Sequence, residues 1–246
     1  MKETEIVEEE KVTLSKPLLI EGLPGLGYVG KIAVTFLIQH LKAKRFASLY
    51  SPHFPYYVLS EEGRVRLLRL EFYHARVGNR DLVLLTGDCQ PTTSAGQYEV
   101  AASILDFSRR HKVRLLVTLG GFSGTDEKRI VGASTSDRLL EKLKQEGVKI
   151  DLSDNPIVGT TGILLSLARF KGIEALCLLG ETPGYAPSLK PAKKILALLS
   201  EILGLKIDLK QMDRRIAKFD QLKGRLAEIA EEELPVRREE TVSYIS

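Results

Sequence analysis

The sequence predicts a three-layer α/β domain, a mostly parallel or mixed sheet with helices on both faces, followed by a C-terminal amphipathic helix. Three observations predict it. Short apolar runs end in glycine and are followed by apolar residues at helical spacing. A β-rich stretch with hairpin turns lies between the first of these units and the rest. The last segment is charged, and its apolar residues recur three or four apart.

Taken in order, residues 1–15 form an acidic N-terminal segment and 16–208 the α/β domain. Pro17 to Gly22 reads as a strand and its glycine as a tight loop. From Gly25 onward Leu26, Val29, Ile32, Ala33, Phe36, Leu37 and Leu41 mark a helix. Arg45 to Tyr50 is a second strand, broken by Pro52 and Pro55, which cannot both sit inside a ladder. Tyr56 to Leu59, the Glu61-Glu62-Gly63 turn and the run from Val65 to Tyr73 predict a hairpin. After Gly78-Asn79 comes the strand Leu82 to Thr86, so the antiparallel part of the sheet belongs here. Beyond it the chain alternates: helix Gly96 to Arg110, strand Val113 to Leu119, helix Ser136 to Glu146, helix Thr160 to Phe170, strand Ala175 to Leu179 and helix Pro191 to Leu203. In 209–235 the residues Leu209, Met212, Ile216, Phe219, Leu222, Leu226 and Ile229 make one apolar stripe on an otherwise charged helix. It serves either packing on its own domain or subunit contact. Pro235 ends it, and 236–246 reads as a flexible tail.

Composition bounds the function. The 246 residues carry 36 Lys and Arg against 32 Asp and Glu, a balance unlike the basic excess of a nucleic-acid protein. No apolar run reaches the ~20 residues of a membrane span, so neither membrane nor nucleic acid is expected as a partner. The expected location is cytoplasmic. Cys89 and Cys177 stand far apart and outside any metal-ligand spacing, which fits a reducing compartment and no zinc. Only two asparagines, Asn79 and Asn155, no tryptophan and abundant Lys, Arg and Glu point to a thermophile.

Three glycine loops are candidate sites. Gly25, Gly27 and Gly30 satisfy G-x-G-x-x-G between a strand and a helix, where backbone N–H groups hold a pyrophosphate. The next strand, however, ends without an acidic residue for a ribose, and Pro24 offers no N–H. Gly121 and Ser123, in Gly120-Gly-Phe-Ser-Gly-Thr125, are a second cradle for an anion, with Asp126 and Glu127 close enough to repel one. Gly180 to Tyr185 is a third loop, with Glu181 its only carboxylate. Each also reads as a plain structural turn. His40, His53, His74 and His111 are scattered without metal-ligand spacing. Ser123, His53 and Asp88 form a triad only on paper, because no nucleophile elbow presents the serine. Asp88 beside Cys89 raises rather than lowers its thiol pKa. No catalytic residue, metal or cofactor is therefore expected.

Five segments together resemble, in order, the motifs of the proteasome assembly chaperone family in its archaeal branch. They are Gly22-Leu-Pro-Gly-Leu-Gly-Tyr-Val-Gly30, Gly87-Asp-Cys-Gln-Pro91 with Tyr98, Leu119-Gly-Gly-Phe122, Gly159-Thr-Thr-Gly-Ile-Leu-Leu165 and Gly180-Glu-Thr-Pro-Gly184. The resemblance covers about residues 15 to 210. It implies a fold of the purine nucleoside phosphorylase type without a phosphorylase site, binding to proteasome α-subunits or to another family member, and self-association into a homo-oligomer. Family members often end in a hydrophobic residue, a tyrosine and one last residue, a tail that inserts between α-subunits. Here Tyr244 is third from the end, Ser243 precedes it, and Ile245 and Ser246 follow. The resemblance thus places partner binding at Tyr244, Ile245 and Ser246. A small-molecule or nucleotide-binding enzyme using the glycine loops is the alternative.

Overall fold

The structure, a computed structural model, describes residues 1–150 and 156–233, the side chains at 223–224 and 226–233 excepted. The strands are β1 (Glu5–Glu8), β2 (Leu18–Glu21), β3 (Lys44–Tyr50), β4 (Val58–Glu61), β5 (Arg64–Leu67), β6 (Leu70–Val77), β7 (Arg80–Gly87), β8 (Leu115–Ser123), β9 (Ile130–Ser134), β10 (Lys149–Ile150) and β11 (Glu174–Thr182). The helices are α1 (Val29–His40), α2 (Ser94–Arg110), α3 (Asp137–Gln145), α4 (Thr160–Ala168), α5 (Leu189–Leu203) and α6 (Lys210–Glu233).

Nine strands form one mixed sheet in the order β1-β3-β6-β7-β2-β8-β11-β9-β10. Its middle, β7-β2-β8-β11, is parallel, and β1, β3 and β6 extend it antiparallel on one side. The expected antiparallel region is where the hairpins are. Every residue of β2 is buried, as a strand covered on both faces must be. Helices α1 and α5 pack together, and α2 packs with α4, while β8 meets both α1 and α4. Leu19, Phe46, Phe72, Ile104, Phe107, Leu116 and Leu164 belong to the core on the α2/α4 side, where Phe72 and Phe107 meet at 4.6 Å between ring centroids. The helix starts follow from local chemistry: Thr93 Oγ1 accepts from the Gly96 amide at 3.1 Å, and Ser136 caps α3.

The structure departs from the sequence reading in four places. Strands β8 and β11 run through their glycines to Ser123 and Thr182, with Gly121 opposite Gly180, so Gly121 and Ser123 lie in a ladder rather than a free loop. The N-terminal segment contributes an edge strand, β1, and β9 pairs antiparallel with β11. The predicted hairpin closes between β4 and β5 as a separate two-stranded sheet. Its Glu62-Gly63 turn has φ of 52° and 80°, the left-handed pair of a tight hairpin. Residues 1–209 form one compact unit, and α6 begins a second. Helix α6 is 24 residues long and includes Met212, Ile216, Phe219 and Leu222 of the apolar stripe. Pro235, the tail 236–246 and with it Tyr244, Ile245 and Ser246 lie outside the described residues.

Candidate functional site

A cleft of about 570 Å³ opens at the C-terminal ends of β2, β8 and β11. From β2 the chain leaves through α1 toward β3, on one side of it in the strand order, whereas the neighbouring β8 leads to β9 on the other. Adjacent strand ends that lead their chains apart leave a crevice, which is where open α/β sheets bind ligands. Here the walls are Gly25, Leu26, Phe122, Ile157, Val158 and Tyr185 among others, and no charged side chain lines it among the described residues.

The loop from Gly22 to Gly30 is shaped by close packing. A Cβ at Gly30 would run into the Leu119 carbonyl, one at Gly22 into the Gly30 carbonyl, and one at Gly121 into the Leu26 carbonyl. Gly27, at φ 61°, lies against Thr182, and its carbonyl accepts from the Ser188 amide at 2.9 Å. These glycines bring α1 and its preceding turn onto β8 and β11. Gly25 alone faces open space, its nearest neighbour for an added Cβ being Gln90 Nε2 at 3.7 Å. Of the five glycine-loop residues, Gly25 and Gly121 line the cleft with Gly30 and Ser123, and Gly27 does not.

Two glutamines lock the rim: Gln90, visible in the sequence only as part of the Gly87 to Pro91 motif, and Gln97. Gln90 donates from Nε2 to the Pro24 carbonyl at 2.6 Å and accepts at Oε1 from the Thr160 amide at 2.9 Å. Gln97 donates to the Pro91 carbonyl at 2.7 Å and accepts from Thr160 Oγ1 at 2.5 Å. The amide that begins α4 is thus already occupied. So is the second glycine segment, because Glu181 accepts from the Asp126 amide at 3.0 Å, meets Arg129 at 3.4 Å and fills the space beside Gly124. The protein's own carboxylate sits where an anion was expected.

Beneath the cleft floor lies a buried polar row. Glu21, Thr118 and Cys177 are register partners across β2, β8 and β11. Glu21 Oε1 accepts from the Leu23 amide at 3.1 Å and from Thr161 Oγ1 at 3.4 Å, while Oε2 and Thr118 Oγ1 have no hydrogen-bond partner. Complete burial pushes the Glu21 carboxyl up to about 8, more than the Leu23 and Thr161 hydrogen bonds lower it. Burial likewise pushes Cys177 up to about 12. The signal for Glu21 was in the sequence: it is the one charge ending an apolar strand.

The remaining candidates are held by separate partners. His53 pairs with Glu99 at 3.0 Å and Asp88 with Arg66 at 2.6 Å, so the paper triad with Ser123 is not built. Burial pushes Asp88 up, but the Arg66 guanidinium and the Arg69 amide outweigh it and hold the carboxyl below its usual range. Burial first and Asp88 second push Cys89 up to about 12, leaving a protonated thiol. His74 pairs with Asp81 and His111 with Glu8. No cluster of three metal-binding side chains occurs among the described residues, and no helix among them is long and apolar enough to cross a membrane.

Comparison with known proteins agrees with this architecture. The crystal structure of Pyrococcus furiosus PbaB, an archaeal proteasome activator, is 39% identical, covers 92% of this chain and all of its own, and superimposes with a TM-score of 0.86. That of Pyrococcus furiosus PbaA, an archaeal homologue of proteasome-assembly chaperone, is 27% identical over 94% of both chains, with a TM-score of 0.79. These solved relatives are described as activator and chaperone homologue, not as enzymes. An uncharacterized protein of Methanocaldococcus jannaschii is 32% identical over 94% of this chain and 93% of its own. Residues 19–227 match the PAC2 family, and the chain belongs to that family.

Proposed function

We propose that the protein is a non-enzymatic assembly chaperone or adaptor of the proteasome, a self-associating scaffold that docks its C-terminal tail on proteasome α-subunits. The observation that carries this reading is the 39% identity, over 92% of the chain, to a protein described as an archaeal proteasome activator. The site supports it from the other side. Glycines that an enzyme would turn toward a substrate are used here to seat α1 on β8, and the Thr160 and Asp126 amides are taken by Gln90 and Glu181. Docking then rests on peptide capture, with Tyr244 in the partner's groove and Ile245 and Ser246 as supporting contacts. Pull-down of α-subunits by the intact chain and by a chain stopped at Leu234 tests it. Binding by the intact chain alone is expected, and equal or absent binding by both refutes the docking role.

One observation favours a second reading, a small molecule or nucleotide held near Gly25, Gly27, Gly30, Gly121 and Ser123: the cleft lies where open α/β sheets bind ligands. A ligand at 100 times its Kd adds about 2.7 kcal/mol of stability, so thermal shift with nucleotides, nucleosides and NAD decides. The assembly reading expects no shift.

A further inference from the structure

The β4–β5 hairpin stands apart from the nine-stranded sheet, and its two faces are unlike. On the inner face Leu59 packs against the core, and its cross-strand partner Arg66 is tied to Asp88 by hydrogen bonds of 2.6 and 3.1 Å. The outer face carries the pairs Val58 with Leu67 and Ser60 with Val65, and no charge. A solvated strand face ordinarily alternates to polar residues, yet Val58, Val65 and Leu67 are 52%, 74% and 54% exposed. Beside them Tyr56 projects fully into solvent and Tyr57 is 55% exposed. A two-stranded hairpin is at best marginally stable in water, so an apolar outer face gives it no advantage unless something covers it.

Next to Tyr56 the same surface has a hollow of about 150 Å³, lined by Tyr50, Pro52, Phe54, Pro55, Tyr57 and Leu68 among others. An apolar space of that volume takes a benzene ring. Knob and hollow therefore sit side by side on one patch, the arrangement that a two-fold axis satisfies twice, since each copy then offers what the other lacks. The area agrees. With aromatic side chains covering about 200 Å² each, the five exposed residues present roughly 600 Å² per copy, against the ~800 Å² per partner of a stable interface. Glu62 and Arg64, both exposed at the turn, put both signs of charge on the rim.

We propose that this face is where two copies of the chain meet, the Tyr56 ring of each entering the hollow beside Phe54 and Pro55 of the other. The inference deepens the self-association in the reading above and rests on it. Light scattering of the full chain across a wide concentration range is the test, run in parallel on Tyr56→Glu, Val65→Glu and, as a control, Phe170→Glu, an exposed apolar residue elsewhere. Tyr56 is fully exposed in the single chain, so its replacement leaves the fold intact, which circular dichroism verifies. The expected result is a wild-type mass that is a multiple of 27.4 kDa, halved or lowered to a single chain in both hairpin variants and unchanged in the control. A multiple that survives both hairpin substitutions overturns this interface while leaving self-association standing. A wild type that stays at 27.4 kDa throughout overturns both.

Discussion

The floor of the cleft and the outer face of the hairpin are built from similar apolar and small residues and put them to opposite uses. At the cleft, Gly22, Gly30 and Gly121 disappear into backbone contacts with their neighbours, and the polar groups around them are taken by Gln90, Gln97 and Glu181. At the hairpin, Tyr56, Val58, Val65 and Leu67 have little of their own chain to touch. What a protein has left over after folding is what it offers to others, and by that measure this one offers surfaces. Substitution in the two regions should therefore differ sharply in cost.

The largest effect is expected at Gly30. In Gly30→Ala the added methyl meets the Leu119 carbonyl, a backbone atom that cannot rotate away, and urea denaturation should show a loss of about 3 kcal/mol or more. A loss under 1 kcal/mol would mean that α1 is not pressed onto β8. Next is the buried Glu21. Its carboxyl titrates near 8 in the folded chain and near 4.5 when unfolded, so between those values the native state holds a proton that the unfolded chain has released. Its contribution is then fully present below about pH 4.5, falls as pH rises through the window and levels off above about 8. Each tenfold change in proton affinity is worth about 1.4 kcal/mol, so Glu21→Gln should flatten the pH profile by a few kcal/mol, most visibly near pH 9. A profile identical to wild type would place the carboxyl in water.

Effects at the hairpin are smaller. Arg66→Ala removes the tie to Asp88 and should cost about 1–2 kcal/mol, with faster amide exchange confined to residues 58–67. Uniform exchange would show that the hairpin is held by other contacts. Smallest of all is Gly25→Ala, where φ is −159° and the nearest atom is 3.7 Å away. Unfolding should change by less than about 0.5 kcal/mol, in contrast to Gly30 five residues on.

The contrast between Gly25 and Gly30 also marks how far the sequence could be read. Apolar runs and helical spacing placed the central strands and every helix of the domain, because burial on both faces leaves a plain imprint on β2, β7 and β8. The ends of β8 and β11 were not legible, since glycine punctuates loops more often than ladders. Gly121 is in a ladder because the Leu26 carbonyl comes too close for any side chain. Edge strand β1 was hidden by Glu5 and Glu8, charges of the kind that keep an edge from pairing with another chain. Of the candidate site, the glycine pattern was visible but not its purpose. A G-x-G-x-x-G turn looks the same whether a pyrophosphate or a neighbouring strand approaches it. Glu181 filling the second cradle and Gln90 bridging Pro24 to Thr160 depend on residues 55 and 70 positions away from their partners.

Calorimetric or surface-binding titration of proteasome α-subunits sets the cleft and the tail against each other most directly. Gly25→Trp would fill the cleft from its one open glycine, and Tyr244→Ala would remove the tail's aromatic ring. The account predicts that the cleft variant binds like wild type while the tail variant loses at least tenfold in affinity. Loss of binding on filling the cleft, with the tail variant unaffected, would contradict it.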